Sequence, residues 1–398
     1  MILIVLFSCA SPPAVTEREN GATPVPSTDA AASFDAEKKT AVIPPDAGRD
    51  YLTIIAAGDN LYHNVMIRDG EDGDYEPAYK EIRALVEKAD IAFVNQETPL
   101  AGEDFGFSGF PRFNTPQKLG RALSATGFNV VNHATNHIMD QAEKGVLATL
   151  DFWDTIPGVT VLGIHRSEKE RERPALIRKN NITVGFLSYT YGTNGITVPK
   201  DKQYLVSVID TEIMEKEIDA LRPLCDFLVV SMHWGEEYRP DINKEQEKLA
   251  AFLAEHLVDL VIGHHPHVLQ PIKYLSRPDG KFMLCYYSLG NLVSAQSQNP
   301  ALLGAMAYLR IKKIQGESGA SDSVFIVDSG AIPLVTHYEK NYTNFLVYPL
   351  YGYTEELLEK HRKNQDKPAN AAALTLEYLH NLSAEILGSE KIRREPFR

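Results

Sequence analysis

The apolar positions of this chain form six strand-like runs, and each run leads directly into a short polar cluster. The runs consist almost entirely of Ile, Val, Leu, Phe and Ala, which is typical of strands covered on both faces. The clusters that follow are Gly58-Asp59, Asn95-Gln96-Glu97, Asn132 to His137, His233 to Tyr238, Gly263 to His267 and Ser288 to Asn291. Ligands of such sheets bind outside the carboxyl ends of the strands. The pattern therefore predicts one shared site assembled from distant segments.

The remaining periodicity predicts an α/β domain in which strands alternate with amphipathic helices. Apolar runs predict strands at 51–57, 91–95, 128–132, 159–163, 182–189, 226–232, 258–263, 268–275, 282–288 and 304–312. Apolar residues at helical spacing predict helices at 75–88, 116–125, 142–153, 211–221, 244–257 and 354–388. This alternation favours βαβ units and a sheet with helices outside. After residue 258, strands without long helices predict an antiparallel second half.

The N-terminal region differs in character from the rest of the chain. Leu6-Phe7-Ser8-Cys9 resembles a bacterial lipobox, in which Cys9 would be lipidated, although no basic segment precedes it. The alternative is a frayed hydrophobic N-terminus. Residues 10–48 contain too few large apolar residues to fold, which predicts a tether. We expect a signal remnant at 1–9, a disordered tether at 10–48, a folded domain at 49–350 and a C-terminal helical segment at 351–398.

A lipid-anchored tether predicts where the protein works. One acyl-anchored end would hold an otherwise soluble domain at the cell membrane, on its extracytoplasmic face. The sequence shows no later apolar run of the roughly 18 residues that are needed to span a bilayer. The expected localisation is therefore lipid-anchored rather than membrane-spanning.

Charge and cysteine usage narrow the classes of partner. The formal net charge of −13 argues against a nucleic-acid binder, whose footprint is basic. It also argues against broad attraction of polyanions, so an anionic substrate must be held locally, by metal or by a few Arg and Lys. Cys225 and Cys285 lie in or beside apolar runs, which predicts buried free thiols rather than a disulfide.

The polar clusters contain the ligand types of a divalent metal site. Zinc, manganese and iron bind imidazole and carboxylate groups. The candidates are Asp59, Glu97, His137, His233, His264, His265 and His267, with Asn95, Asn136 and Asn291 as neutral oxygen donors. Two metals about 3.5–4 Å apart clamp the attacking and leaving oxygens of a hydrolytic displacement, and a histidine off the metals can protonate a leaving group. We therefore predict one or two ions of Mn, Zn or Fe.

Several of these residues also have a plain structural interpretation. Asp59 follows a glycine and can be a turn residue, and His133 can be a buried core histidine. The three imidazoles in 264–267 would repel one another if protonated, which favours a metal there. Trp234 and Tyr238 can be core aromatics, but their place in a dense polar string favours a pocket wall.

Six motifs in this order resemble the capsule-synthesis CapA family, also described as poly-gamma-glutamate biosynthesis proteins. They are Gly58-Asp59, Asn95 to Leu100, Ala134 to Asp140, His233 to Tyr238, Gly263 to Gln270 and Tyr287 to Asn291. The family resembles the calcineurin-like metallophosphoesterases, so the resemblance implies a layered α/β/β/α sandwich. It also implies the metal ligands Asp59, Glu97, Asn136, His233, His265 and His267.

The same resemblance suggests roles for other residues near the motifs. His137 would be the catalytic histidine, and we assign Asp140 and Glu237 to catalysis with it. The expected substrate-binding residues are Arg112, Trp234, Tyr238 and Asn291. Arg112 lies in the loop after the Glu97 motif, where it would hold a substrate carboxylate.

The chain departs from the phosphoesterase pattern at three positions. Leu61 stands where the first motif has a histidine, and Glu97 stands where the second motif has an aspartate. The last motif has an additional histidine, so either His264 or His265 is a ligand. These departures leave open whether the site holds one metal or two.

Three functions remain open from the sequence. The first is a metal-dependent hydrolase or transferase that acts on poly-gamma-glutamate or a related anionic polymer, together with other membrane components of capsule synthesis. The second is a phosphoesterase that acts on a cell-surface phosphate ester. The third is a non-catalytic subunit that binds the polymer. Fold is implied more securely than activity by a family resemblance.

Overall fold

The computed structural model describes residues 40–42, 50–70, 73–316, 322–367 and 372–394. The expected signal remnant at 1–9, with Cys9, and most of the expected tether at 10–48 lie outside these residues. Within the tether range, Thr40–Val42 forms a strand that pairs with the folded unit, which the sequence analysis did not predict.

Fifteen strands are present among the described residues. They are β1 (Thr40–Val42), β2 (Tyr51–Asn60), β3 (Ile91–Gln96), β4 (Val130–Asn132), β5 (Thr160–Leu162), β6 (Ala175–Lys179), β7 (Ile182–Thr190), β8 (Phe227–His233), β9 (Leu260–His264), β10 (Ile272–Ser276), β11 (Phe282–Tyr286), β12 (Asn291–Val293), β13 (Leu303–Ile314), β14 (Ser323–Glu339) and β15 (Thr343–Pro349). All ten predicted strands overlap one of these elements.

Ten α-helices connect or flank the strands in the described part of the chain. They are α1 (Asn64–Asp69), α2 (Lys80–Val86), α3 (Gln117–Thr126), α4 (Ala142–Asp154), α5 (Glu168–Arg171), α6 (Thr211–Leu221), α7 (Lys244–Glu255), α8 (Glu355–Lys360), α9 (Arg362–Gln365) and α10 (Leu376–Leu387). None of these helices has both the length and the apolar character that a membrane crossing requires.

The strands form two sheets. The first has the order β1-β6-β7-β8-β9-β11-β10, and the second has the order β15-β14-β13-β2-β3-β4-β5, with β12 paired to β2. In the first sheet β7, β8, β9 and β11 run parallel, and in the second β2, β3, β4 and β5 run parallel. Each sheet therefore has a parallel centre whose carboxyl ends emerge together.

The sheets pack face to face, with helices on the outside. Val229 and Leu260 of the first sheet share one core with Ile54 and Phe93 of the second. On the other face of the first sheet, side chains of β8 and β9 pack against α6 and α7. The predicted layered α/β/β/α sandwich is confirmed.

Both remaining cysteines are free thiols, as predicted, with Cys285 buried and Cys225 half-buried. Burial raises the pKa of both thiols above its usual value.

Three features of the chain differ from the sequence prediction. The predicted antiparallel pairing after residue 258 is found between β10 and β11 and among β13, β14 and β15. It is wrong for β9 and β11, which run parallel to each other. The long strand β14 was not predicted, since Gly330 and Pro333 interrupt its apolar pattern. The continuous helix expected at 354–388 is wrong, because the chain forms the separate helices α8, α9 and α10. Their buried leucines still face the core, as the pattern indicated.

Gly263 allows β9 to approach the strand end beside it. A Cβ atom at this position would lie 1.9 Å from the backbone oxygen of Tyr287 and 2.5 Å from its carbonyl carbon. We expect Gly263→Ala to destabilise the fold by about 3 kcal/mol, the upper end of typical overpacking costs, because backbone atoms cannot move aside like a side chain. Denaturant unfolding checks this. Gly192→Ala is the matched control, since its Cβ would meet no atom within 4 Å; equal losses for both variants would contradict the expectation.

Candidate metal centre

The carboxyl ends of β2, β3, β8 and β9 bring the predicted ligands together in one buried site. Asp59 is in β2, Glu97 directly follows β3, and His233 ends β8. Strand register pairs Asp59 with Asn95 and His233 with His264 across neighbouring strands. Both carboxylates are fully buried, with no exposed surface. The expectation of one shared site at the strand ends agrees with this geometry.

A first group of possible ligands consists of Asp59, Glu97 and His267. One donor atom from each residue lies within 4.8 Å of the others. Nδ1 of His267 is 3.0 Å from Oδ2 of Asp59, and its Nε2 is 3.6 Å from Oε1 of Glu97. The imidazole therefore lies between two carboxylates, and one cation could bind all three side chains.

A second group consists of Glu97, His233 and His265, again with donor atoms within 4.8 Å of one another. Nε2 of His233 is 4.0 Å from Oε1 of Glu97 and 2.9 Å from Oδ1 of Asn136. The rings of His233 and His265 are 4.9 Å apart between centroids. Because Glu97 belongs to both groups, its carboxylate is placed to bridge two ions.

Several donor atoms of this site lack hydrogen-bond partners among the described residues. Both carboxylate oxygens of Glu97, and Nδ1 of His233 and of His265, are buried without a hydrogen-bond partner among the described residues. Native proteins pair nearly all buried polar atoms. Burial raises the pKa of Glu97 well above its usual value, with His267 opposing and Asp59 adding to this shift. Orphaned carboxylate and imidazole atoms fit a divalent metal of the zinc, manganese or iron type.

The backbone of the 264–267 loop is strained in a way that aims its side chains at the site. His265 and His267 have φ angles of 96° and 58°, a region that residues with a side chain rarely adopt. Such strain persists where the surrounding structure enforces it, often at functional sites. His264 instead stacks on Phe93 with ring centroids 5.6 Å apart, and it belongs to none of the metal-capable groups in the described chain. Nδ1 of His264 nevertheless lies 3.7 Å from Oδ1 of Asp59, and both of its ring nitrogens are buried without a partner among the described residues, so His264 stays a candidate ligand beside His265.

His137 lies beside the two groups without belonging to either. Its Nδ1 is 2.8 Å from Oδ2 of Asp140, and the ring meets Phe113 edge-on with centroids 4.6 Å apart. The same Asp140 oxygen accepts a hydrogen bond from the backbone N–H of Phe113 at 2.7 Å. This clamp fixes the orientation of the imidazole. The arrangement suits a residue that transfers protons rather than one that holds metal.

Comparison with known proteins identifies the family. The family model described as "Bacterial capsule synthesis protein PGA_cap" matches residues 53–296, more than half of the chain. The chain belongs to the PGA_cap family. All the candidate ligands lie within the matched region, so the site is part of the family's shared domain.

Two relatives carry names that refer to capsule synthesis. The chain is 26% identical over 267 residues to "PGA biosynthesis protein CapA" of Bacillus subtilis, covering 66% of this chain and 69% of the relative. It is 26% identical over 256 residues to "Capsule biosynthesis protein CapA" of Bacillus anthracis, covering 62% of this chain and 60% of the relative. The second match thus spans less than two thirds of that relative's length.

One solved structure is also similar. It is a protein provisionally named a 5'-nucleotidase, from Staphylococcus aureus, in complex with alpha-ketoglutarate, with a TM-score of 0.40 and 12% identity. The match covers 79% of this chain and 58% of that one. At this TM-score the likeness carries no conclusion about function.

Two residues that the sequence assigned to substrate binding face inward instead. Trp234 is only 1% exposed and packs in the core behind the site, where its indole N–H donates to the backbone oxygen of Tyr287 at 2.9 Å. Asn291 is also buried, and its amide donates to the backbone oxygens of His267 and Ala301 at 3.2 and 3.0 Å. The indole of Trp234 is thus engaged with backbone in the core, whereas Oδ1 of Asn291 is buried without a hydrogen-bond partner among the described residues. Asn291 instead fixes the loop that carries His267.

Two other predicted residues, Tyr238 and Glu237, lie beside the candidate ligands, and Arg112 neighbours a residue that contacts His137. Tyr238 is half-buried, with its ring centroid 6.1 Å from that of His267. Glu237 is exposed and forms a third metal-capable group with His265 and His267, so its position suits a ligand as well as a catalytic base. Arg112 is exposed and directly precedes Phe113, whose ring contacts His137.

Sequence reasoning missed two residues that follow β7. The ring of Tyr191 lies 4.6 Å from that of His265 between centroids. The amide nitrogen of Asn194 is 3.3 Å from Nδ1 of His137, and its oxygen accepts from Nδ2 of Asn136 at 3.3 Å. The signal was present, since the predicted strand at 182–189 also leads into a polar segment, as the other six strand-like runs do.

A chain of side-chain hydrogen bonds through two asparagines fixes the carboxylate of Asp59. Nδ2 of Asn95 donates to Oδ1 of Asp59 at 2.8 Å, and Nδ2 of Asn132 donates to Oδ1 of Asn95 at 2.7 Å. The hydroxyl of Ser188 in turn donates to Asn132. Such outer contacts fix the orientation of a ligating carboxylate.

We expect metal binding to become stronger as the pH rises toward about 9. Burial disfavours the charged form of His267, but Glu97 and Asp59 prevail and raise its pKa to about 9. The imidazole therefore carries a proton at neutral pH in the absence of metal, and a ligand must be neutral. Below this pKa, one competing proton weakens the apparent affinity about tenfold per pH unit. Calorimetry of Mn²⁺ binding in buffers of different ionisation enthalpy measures both the affinity and the number of protons released. An affinity that does not change between pH 6 and pH 8, with no proton released, would contradict the expectation.

Proposed function

We propose that this PGA_cap protein is a metal-dependent hydrolase or transferase that acts on the amide bonds of poly-gamma-glutamate or a related anionic capsule polymer. The observation that carries the proposal is the buried convergence of Asp59, Glu97, His233, His265 and His267, in which Glu97, His233 and His265 have unpaired ligand atoms. The polymer is suggested by the name of the Bacillus subtilis relative. A structural role alone gives no reason to bury two carboxylates together in this way.

Asp59, Glu97 and His267 would hold one ion, and Glu97, His233 and His265 would hold a second. Divalent metals at such sites polarise a carbonyl or phosphoryl oxygen and lower the pKa of water. In this proposal, the protein's own groups supply the remaining chemistry.

His137 would donate the proton that the reaction requires. Hydrolysis adds the oxygen of water to the amide carbon and breaks the carbon–nitrogen bond, so the departing amine must gain a proton. Asp140 accepts from Nδ1–H of His137, so a doubly protonated imidazole would donate its Nε2 proton to the departing amine and become the neutral Nδ1–H tautomer. Transfer follows the same course when an amine of another molecule replaces water.

Exposed residues near the site would orient the substrate. Arg112 is exposed, and it forms no ion pair within the described residues, so its guanidinium is available for a substrate carboxylate. Phe110 is 72% exposed and Tyr191 43% exposed, and both flank the site. Because the chain as a whole has a net charge of −13, these local groups and the metals must provide the attraction for a polyanion.

The cellular setting is part of the proposal. Lipidation at Cys9, which lies outside the described residues, would hold the protein on the extracytoplasmic face of the cell membrane. A capsule polymer and the membrane components that make it would be within reach there.

Polymer chain length tests the function. The full chain, loaded with Mn²⁺ or Zn²⁺, is incubated with poly-gamma-glutamate, and chain length is followed by size-exclusion chromatography and by the appearance of free amine ends. We expect metal-dependent shortening or transfer, absent after chelation. Cleavage of bis-p-nitrophenyl phosphate without any change in the polymer would instead support the phosphoesterase. Polymer binding with full metal occupancy and no turnover of either compound would support the binding subunit.

A further inference from the structure

A second cavity lies on the far side of the amide chain that supports Asp59. It measures about 510 Å³ and is lined by residues of β5, α5, β6, β7 and α6. Ser188, which donates to Asn132 in that chain, is part of its wall. None of the candidate metal ligands lines it, so it is distinct from the metal centre.

A buried guanidinium supplies the main polar feature of this cavity. The side chain of Arg171 is only 8% exposed. Its Nε donates to Oε1 of Glu217 at 2.7 Å, and its Nη1 donates to the backbone oxygen of Gln203 at 3.1 Å. Its Nη2 is buried and has no acceptor among the described residues.

Both oxygens of the neighbouring Glu217 carboxylate bond other donors, and neither accepts from that nitrogen. Oε2 of Glu217 already accepts a hydrogen bond from the hydroxyl of Tyr189 at 2.6 Å. A buried donor on a charged group is costly to leave unpaired. The site therefore has a fixed, cationic donor that lacks one acceptor.

The remaining walls determine the shape of what would bind. Leu162, Phe186, Leu187, Ile213 and Leu221 line the cavity with apolar surface. Its volume lies in the usual range for small-molecule sites, which combine apolar walls with a few placed polar groups. The acidic side chains that also line it, Glu168 and Glu172, are exposed, so solvent screens their charge.

We propose that this cavity binds a small amphipathic organic acid. Its carboxylate accepts a hydrogen bond from Nη2 of Arg171, and its hydrocarbon body packs against the apolar walls. The proposal goes beyond the hydrolase function and does not depend on metal.

Calorimetric titration of octanoate into the full chain tests the proposal, with octan-1-ol as the uncharged analogue. We expect one octanoate per chain and at least 10-fold weaker binding of octan-1-ol, the factor that loss of one charge-assisted hydrogen bond typically produces. Arg171→Gln should weaken octanoate binding by a similar factor. Arg166→Gln is the matched control, since Arg166 pairs with Asp151 and Asp154 on the surface.

A second variant covers the case in which loss of Arg171 disturbs the fold. Ala220 is exposed at the mouth of the cavity, so Ala220→Trp should block entry and leave the core intact. Octanoate affinity that is unchanged in Ala220→Trp would overturn the proposal. Equal affinity for octanoate and octan-1-ol, or no octanoate binding by the unmodified chain, would overturn it as well.

Discussion

Replacing Glu97 with glutamine is expected to remove the metal-induced stabilisation of the protein altogether. Glu97 is the one carboxylate shared by both ligand groups, so its loss weakens both ions at once. A metal at 100 times its dissociation constant stabilises a folded protein by about 2.7 kcal/mol. Denaturant unfolding with and without Mn²⁺ should show this increment for the unmodified chain and none for Glu97→Gln.

The metal-free variant should be at least as stable as the unmodified chain. Burial raises the pKa of Glu97 in the folded protein above its pKa in the unfolded chain. At any pH above the unfolded pKa, this carboxyl group therefore lowers the free energy of unfolding. The uncharged amide of glutamine removes that loss. Glu236→Gln, at an exposed neighbour of the site, is the matched control and should keep the full metal effect. Retention of the increment in Glu97→Gln would show that this residue does not bridge metals.

Replacing His137 with glutamine is expected to lower the turnover rate by about 10²- to 10⁴-fold, the usual contribution of a positioned general acid. Metal content should remain unchanged, because His137 lies in neither ligand group. Asp140→Asn should also reduce the rate, since the amide no longer selects the tautomer with a proton on Nδ1. Initial rates on the substrate that is turned over, together with metal analysis of each variant, provide the measurement.

The matched control for this loss is His380→Gln, which changes an exposed histidine on α10. Its rate should equal that of the unmodified chain. A His137→Gln variant that loses metal together with activity would contradict the assignment, because it would make His137 a ligand.

The parallel core of the fold was predictable because its signals are local. Buried strands such as Phe227–His233 are continuous apolar runs, and the helices between them have the helical period. β14 was missed because what stabilises it is not local. Its pairing with β13 and β15 supplies the hydrogen bonds, while its own Gly330 and Pro333 are weak strand formers.

The convergence of Asp59, Glu97 and His233 was predictable from the rule that the ends of neighbouring strands share one edge of a sheet. The strand-end rule does not predict which face of the sheet a side chain points to, or how deeply it is buried. The motif that placed His233 at the edge also contains Trp234, and alternation along the chain turns that next residue to the opposite face, into the core. Tyr191 and Asn194 were missed because no family motif marked their segment.

The structure shows what occupies the positions where the chain departs from the phosphoesterase pattern. Leu61, at the position of the missing histidine, is 2% exposed and part of the buried interior. Nδ1 of His267 lies 3.0 Å from Asp59, so the first group still contains an imidazole. Glu97 has one more methylene than the usual aspartate, and Oε1 comes within 3.6 Å of His267 and 4.0 Å of His233. Both groups that share Glu97 thus still contain an imidazole.

Anomalous diffraction from crystals of the full chain grown with Mn²⁺ tests the central claim most directly. The account predicts two anomalous peaks about 3.5–4 Å apart, with Glu97 contacting both, Asp59 and His267 at one, and His233 and His265 at the other. A single peak away from Glu97, or no peak in this cleft at saturating Mn²⁺, would contradict it.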